Sequence, residues 1–186
     1  NWQNVLNFTR TFNSVHNLTA TAVQEYTHSE TEYMDGSVYE LSDPFFSEHI
    51  ISNTFGQKDV GGWKSENGLA SYMFRANYNY DSKYYIGASI RYDGLSKLPK
   101  DTRWGTFWGA SAAWRLSREK FWTEAPVNEW FNDLRLRASY ATIGNSALGS
   151  DYPYLGTYGA KLVGPMAGIA WNVMGNNNLK WETTET

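Results

Sequence analysis

Three histidines and a scatter of carboxylates are the most obvious candidates for chemistry in this sequence. His16, His28 and His49 share no spacing with carboxylates that suggests a metal site or an oriented general base. The glycines form no phosphate-binding loop of the G-x-G-x-x-G or Walker type. The chain has no cysteine, which excludes thiolate zinc sites and thiol nucleophiles. We therefore expect no catalytic residues, no metal ion, no cofactor and no enzymatic activity.

Aromatic side chains in the long connections are stronger candidates, and their chemistry would be binding. Exposed rings stack on the faces of sugars or bury the side chains of peptides. Such rings also pack connections against one another or against a partner protein, and the sequence leaves both roles open. The candidate contacts to a ligand or a partner are Tyr39, Phe45, Trp63, Tyr154, Tyr158 and Trp171.

Four arginines form a second group of candidates. Each is predicted to lie in the middle of a strand, on the face opposite the aromatic residues. A water-filled interior suits cations in that position, so we expect them to line a path for a bound solute. Alternatively, they pair with carboxylates elsewhere in the protein. The four are Arg75, Arg91, Arg115 and Arg135.

The composition excludes several classes of protein. The 186 residues carry a net charge of −3, which gives no reason to expect a nucleic-acid partner. No run of about 18 apolar residues is present, which rules out a membrane-spanning helix. The chain has 9 Trp, 13 Tyr and 9 Phe, although its mean hydropathy is only −0.55. Amphipathic rings in a hydrophilic chain are typical of surfaces between an apolar phase and water.

Alternation of apolar and polar residues is the dominant pattern along the chain, and it predicts seven strands. Their length, roughly ten residues, is close to what a tilted strand needs to cross a bilayer. All five prolines fall in the predicted connections, as a hydrogen-bonded sheet requires. The predicted strands cover residues 1–12, 17–26, 70–80, 84–93, 104–116 and 133–141, with a seventh opening at Leu179.

Connection lengths carry independent information. Transmembrane β-barrels alternate short periplasmic turns with longer external loops. The predicted connections start with a short turn, continue with a loop of about 40 residues, and return to a short link at 81–83. The connection at 117–132 fits the scheme only as an elaborated turn on the periplasmic side.

Alternation alone is also typical of a soluble β-sandwich, but two features favour a membrane barrel. Large rings stand at both strand ends with small residues between them, as in Tyr84, Ala88 and Tyr92, which is typical of aromatic girdles around a lipid band. The arginines occupy the opposite face. We therefore predict an all-β fold, a segment of an antiparallel transmembrane β-barrel with long extracellular loops. Burial of Ile86 and Trp108 between two stacked sheets would contradict this prediction.

Six motifs resemble the barrel signature of SusC-like (RagA-type) TonB-dependent transporters. The run from Ser71 to Tyr84 resembles the family's S-x-x-x-R-x-N-Y-x-Y-x-x-K-Y, and Trp114 to Phe121 resembles its W-R-x-S-x-E-x-F. Trp108 and Ala141 depart from the family, which usually has Pro and Gly there. The other matching motifs lie at 88–94, 103–107, 134–145 and 178–184.

The resemblance implies a barrel of about 22 strands with a plugged lumen. Residues 1–186 would then be a partial barrel domain, with the plug and the TonB-interacting segment absent from this chain. It also implies a location in the bacterial outer membrane and nutrient import without bond chemistry. The implied partners are a SusD-like surface lipoprotein, the TonB–ExbB–ExbD complex, outer-membrane lipid and a cargo. That cargo is usually an oligosaccharide and sometimes a peptide.

Two other functions stay open on the sequence alone. A soluble all-β carbohydrate-binding module would use the same rings as stacking sites, and it would leave cells in aqueous buffer without detergent. An outer-membrane hydrolase would need a nucleophile and a base, and the residues provide no such pair.

Overall fold

The computed structural model describes residues 1–39, 57–163 and 166–186, and most of these residues lie in strands. Residues 116–134 hold a four-residue helix, α1 (Lys120–Thr123), flanked by 3₁₀ turns at Leu116–Arg118 and Pro126–Glu129. Among the described residues, no helix is long and apolar enough to span a membrane. The strands are β1 (Trp2–Phe12), β2 (His16–Val38), β3 (Lys58–Tyr80), β4 (Tyr84–Leu95), β5 (Trp104–Arg115), β6 (Arg135–Asn145), β7 (Thr157–Val163), β8 (Met166–Val173) and β9 (Glu182–Glu185).

Seven of these strands form one antiparallel sheet in the order β1-β2-β3-β4-β5-β6-β9. The seven-stranded sheet predicted from alternation is therefore confirmed. Strands β7 and β8 form a separate antiparallel hairpin. The chain divides into a larger unit, residues 1–28 with 68–186, and a smaller unit, residues 29–67.

Three boundaries differ from the predicted ones. Strands β2 and β3 are each 23 residues long and run through much of the connection predicted as a loop. Residues 29–37 and 57–64 are exposed on both faces, so they lack the alternation that marks a one-sided strand. The β7–β8 hairpin also lies in a predicted loop. The last strand begins at Glu182 rather than Leu179, because the Leu179 N–H donates to the Asn176 carbonyl in a turn.

Strand register in the larger unit separates two faces. Tyr84 lies opposite Tyr80 on β3 and Trp114 on β5, while Ala88 lies opposite Ala76 and Ala110. Because side chains alternate along a strand, the residues between these point to the other side. The aromatic face includes Tyr72, Phe74, Tyr80, Tyr84, Ile86, Ile90, Tyr92, Trp108 and Trp114, and the polar face includes Ser71, Arg75, Asn77, Arg91, Asp93 and Ser111.

Rings concentrate in two rows on the aromatic face. One row stacks Tyr84 on Trp114 with ring centroids 6.3 Å apart, and the other stacks Tyr92 on Trp104 at 4.6 Å. Tyr84 and Tyr92 are eight residues apart on β4. That spacing is about 26 Å along the strand, or about 20 Å along the membrane normal at the usual tilt. The two rows therefore have the separation of aromatic girdles around a hydrocarbon band.

The sheet is a single layer, and its aromatic face is uncovered. Ile86 is 59% exposed and Trp108 is 50% exposed. Within the described ranges, the only buried apolar residues are Leu95, Leu98 and Phe107. A β-sandwich would seal these rings between two sheets, so the sandwich interpretation is wrong for this chain.

Two tight turns lie at one end of the sheet. Asn13 and Ser14 in the β1–β2 turn, and Asp81 and Ser82 in the β3–β4 turn, have φ between 48° and 59°. Positive φ at successive residues is typical of type I′ hairpins, whose twist matches that of the strands. These turns and the β5–β6 connection define the short-turn end. The connections at 96–103 and 146–181 lie at the opposite, long-connection end.

We predict that Gly144→Ala destabilises the sheet, whereas Gly149→Ala does not. A Cβ at position 144 would clash with Cζ of Phe107, which is only 6% exposed and has little room to move. A Cβ at position 149 would meet nothing within 4 Å. We expect a loss of about 1–3 kcal/mol from overpacking at 144. Heat-modifiable electrophoretic mobility of the full-length protein measures the folded fraction, and equal stability of the two variants would contradict the packing described here.

Candidate functional site

A cavity of about 390 Å³ opens on the polar face, near the long-connection end. Strands β3, β4, β5 and β6 provide most of its wall, and Trp181, just before β9, closes one side. Its lining combines an ion pair, formed by Arg91 and Asp93, with two aromatic rings, Phe107 and Trp181. The cavity therefore offers both charged and apolar contacts to a solute.

Arg91 is held in place by residues of its own sheet. Its Nε atom donates to both carboxylate oxygens of Asp93, at 2.8 and 2.7 Å, and its Nη2 atom donates to Ser71 Oγ at 3.3 Å. Asp93 is buried, whereas the Arg91 side chain is 44% exposed. Because the two residues are two apart on one strand, they share a face. The pair neutralises the buried carboxylate and leaves part of the guanidinium open to a ligand.

Phe107 and Trp181 form the aromatic side of the cavity. Their rings meet edge to face with centroids 5.2 Å apart, and the indole N–H of Trp181 donates to the Arg103 carbonyl at 2.8 Å. Gly105 makes room for both rings, since a Cβ there would lie 2.7 Å from Phe107 and 2.8 Å from Trp181. The sequence analysis missed this pair because the two residues are far apart in the chain.

Hydrogen bonds and an ion pair brace the long-connection end around the cavity. Thr102 Oγ1 donates to the Leu179 carbonyl at 2.5 Å, which joins the β4–β5 connection to the residues before β9. Lys97 Nζ lies 2.9 Å from Asp151 Oδ1, and both side chains are only 19% exposed. These contacts join the connection at 96–103 to the connection at 146–181.

Arg75 occupies a different environment from Arg91. It lies opposite Ser89 on β4, in a groove of about 240 Å³ whose lining includes Gly87, Ser111 and Ala141. In the described part of the chain, no carboxylate pairs with its exposed guanidinium. Small and hydroxyl-bearing neighbours leave this cation accessible from the polar face.

Arg115 and Arg135 lie at strand ends, so the prediction of mid-strand positions is wrong for them. Arg115 Nε donates to Asp133 Oδ1 at 2.8 Å, and Ser117 Oγ donates to the same oxygen at 3.1 Å. These donors lower the pKa of Asp133, with the Arg115 bond as the largest cause. The Arg135 guanidinium lies 4.9 Å from the Tyr85 ring centroid. Both arginines therefore brace the short-turn end.

Five of the six candidate aromatic residues lie in the described ranges, and they are divided between the two units. Tyr158 and Trp171 face each other across the β7–β8 hairpin with ring centroids 4.1 Å apart, and they are 60% and 59% exposed. Tyr154 lies nearby in sequence, and its carbonyl accepts a hydrogen bond from the Asn176 N–H. In this group, the structure brings together only Tyr158 and Trp171.

The smaller unit contains two of the remaining candidates. Trp63 lies in β3, and not in a loop as predicted, and it stacks on Tyr33 with centroids 5.8 Å apart. Tyr39 is 57% exposed, and its N–H donates to the Gln57 carbonyl at 3.1 Å. Phe45 lies outside the described residues.

Comparison with known sequences supports one family along the whole chain. A family model described as TonB dependent receptor-like, beta-barrel, matches residues 1–186. The TonB-dependent receptor P39 of Formosa agariphila is 31% identical over 183 residues, which cover 98% of this chain and 17% of that protein. The TonB-dependent receptor SusC of Bacteroides thetaiotaomicron is 32% identical over 136 residues, or 69% of this chain and 13% of SusC. The chain thus spans less than a fifth of the length of these relatives.

Solved structures agree with the sequence comparison. The RagAB peptide importer in its closed-closed state superposes with a TM-score of 0.85 at 24% identity, over 98% of this chain and 20% of that one. Another structure of the RagAB peptide transporter gives 0.83 at 25% identity, with the same coverage. The sheet is therefore a section of a barrel wall, and the family is one of receptors and transporters rather than an enzyme class. This chain belongs to the TonB-dependent receptor-like β-barrel family.

Proposed function

We propose that this chain forms part of the wall of a SusC-like importer in a bacterial outer membrane, where it takes up a nutrient. The observation that carries the proposal is the two-faced single layer. One face exposes rings in two rows with alanines between them, and the other face carries arginines, asparagines and serines. The aromatic face contacts lipid, and the polar face lines the water-filled interior.

Burial energetics support this orientation. Each large side chain on the aromatic face would leave its apolar surface in water if the protein were soluble, and full burial stabilises such a side chain by about 1.5–3 kcal/mol. Lipid provides that burial without a second sheet. Strand β4 pairs with β3 and β5 along its length, which satisfies its backbone groups where no water is available.

The polar face supports passage of a solute without bond chemistry. Around Arg75, the wall is made of Gly87, Gly109 and Ser111, whose short side chains leave the surface smooth. Hydroxyl and amide groups on this face exchange hydrogen bonds with a hydrated solute at little cost, because water competes for the same groups. The cavity near Arg91 adds one place where a solute would be held briefly.

The proposed cargo is an oligosaccharide. Exposed rings such as the Tyr158–Trp171 pair at the long-connection end suit stacking on sugar faces, and Asn77 and Ser111 suit hydroxyl groups. A peptide is the second candidate. It is supported by the likeness to RagAB, which is described as a peptide importer, and by the accessible guanidinium of Arg75.

The proposed partners are a SusD-like surface lipoprotein at the long-connection end and the TonB–ExbB–ExbD complex, which would supply energy. Support comes from the relatives, which are SusC and other TonB-dependent receptors, and from the RagAB structures. The exposed rings of the hairpin, with Tyr39 and Trp63 in the smaller unit, are proposed contacts for the lipoprotein or the cargo.

Extraction from native membranes tests the proposed function. We expect the full-length protein to fractionate with outer membranes, to need detergent for release, and to co-purify with a lipoprotein. Release into aqueous buffer as a monodisperse species would contradict the membrane location. Release by detergent without any lipoprotein would contradict only the proposed SusD-like partner, and not the membrane location.

We predict that Arg75→Gln separates the two candidate cargos. Loss of this unpaired cation should slow uptake of acidic peptides by up to about tenfold at low ionic strength, because electrostatic steering is lost. Uptake of neutral oligosaccharides should stay unchanged, as should folding. Arg118→Gln, which removes an exposed cation outside the polar face, is the matched charge control. Unchanged uptake of both cargos would show that Arg75 does not face the solute path.

Arg91→Gln should instead affect stability. The substitution leaves Asp93, which is 6% exposed, without its cation. We expect a loss of about 1–2 kcal/mol, less than for a fully buried pair because the guanidinium is partly solvated. The heat-modifiability assay measures this loss. Equal stability of Arg91→Gln and Arg75→Gln would contradict the assigned role of the pair.

A further inference from the structure

The β5–β6 connection, residues 116–134, exposes more aromatic surface than a connection in water should. Phe121 is 58% exposed, Trp130 is 85% exposed and Phe131 is 62% exposed. Contiguous exposed apolar surface of this kind marks a contact with protein or membrane. The position of the connection relative to the lipid-facing rings decides between protein and membrane as the contact.

A carboxylate ties the connection to the aromatic face. Tyr84 Oη donates to Glu119 Oε1 at 2.6 Å, and Trp114 Nε1 donates to the same oxygen at 3.1 Å. Tyr84 and Trp114 form the row of rings at the short-turn end. Glu119 therefore lies directly below the lipid-facing girdle, and not below the polar face. Its pKa is lowered, chiefly by the Tyr84 hydrogen bond, so the carboxylate stays charged where the hydrocarbon ends.

The connection is also folded onto itself. The indole N–H of Trp122 donates to the Phe131 carbonyl at 3.0 Å, which brings α1 next to the segment that holds Trp130 and Phe131. At its far end, Asp133 accepts hydrogen bonds from Arg115 and Ser117. Because these bonds already order the segment, insertion of its rings into another phase costs little further conformational entropy.

We propose that the β5–β6 connection lies in the headgroup layer of the periplasmic leaflet, with Phe121, Trp130 and Phe131 inserted among the phospholipids. The inference rests on the proposed function, since it requires the sheet to span the outer membrane. Its second basis is continuity with the girdle, because Glu119 joins the start of the connection, two residues before Phe121, to the lipid-facing row. Aromatic rings at this level form the belts typical of membrane proteins. The connection thus extends the girdle outward and fixes the height of β5 and β6 in the bilayer.

The arrangement of charges agrees with an interfacial position. The connection carries charges of both signs: Arg118 and Lys120 are cationic, and Glu119, Glu124, Glu129 and Asp133 are anionic. It therefore combines charged and aromatic residues, as expected for a segment at the boundary between an apolar phase and water.

Spin labelling of the full-length receptor in phospholipid vesicles tests the proposal. This chain has no cysteine, so single cysteines introduced here are labelled selectively once any others are replaced. The variants are Phe121→Cys and Trp130→Cys, with Phe131→Cys as a further site if one label disturbs folding. Glu124→Cys is the control on the same connection, and Ile86→Cys is the control in the lipid band. Relaxation by oxygen, relative to a water-soluble nickel complex, reports depth.

We expect the oxygen-to-nickel ratio at 121 and 130 to lie between the low value at 124 and the high value at 86. A ratio at both sites equal to that at 124 would overturn the proposal by placing the connection in water. Protection from both reagents would overturn it by showing that protein covers the rings. A low ratio at 86 would instead contradict the membrane location itself, which separates failure of the proposed function from failure of this inference.

Discussion

One constraint governs this structure: the sheet is a single layer, and no other part of the described chain covers its aromatic face. Rings and aliphatic side chains such as Ile86 and Trp108 stand half exposed on that face. Only three buried apolar residues were found among the described ones, so packing inside the protein supplies little of the usual stabilisation. The apolar phase must therefore come from outside, and in the proposed function a bilayer supplies it across the separation of the two ring rows. Strand length, girdle spacing and the alternation of faces all follow from this one requirement.

The polar face must instead contact water and solutes while its charged side chains stay ordered. Arg91 and Arg115 achieve this by pairing with carboxylates of their own chain, Asp93 and Asp133. These pairs hold each guanidinium in place and keep charged groups on the polar face. Arg75 has no carboxylate partner among the described residues, which makes it the cation most available to a passing solute. The same side-chain type therefore plays a structural role at two positions and a candidate binding role at a third.

Local patterns predicted the sheet well, because alternation encodes which side chains share a face. The sequence did not predict the extensions of β2 and β3, because residues 29–37 and 57–64 are exposed on both faces. They therefore show no alternation of apolar and polar residues. The β7–β8 hairpin was missed because Gly159, Gly168 and several alanines weaken its pattern. The partners of the arginines and the Phe107–Trp181 pair depend on contacts between distant residues, and no spacing rule reveals those.

The central claim is that neighbouring residues on β4 face two different solvents. A photoreactive amino acid placed at Ile90 and, separately, at Ser89 of the full-length protein in native membranes tests it most directly. The two positions are adjacent in sequence and lie on opposite faces. Lipid adducts at position 90 and none at position 89 are the predicted result. Polypeptide adducts at position 90, with lipid absent, would contradict the account.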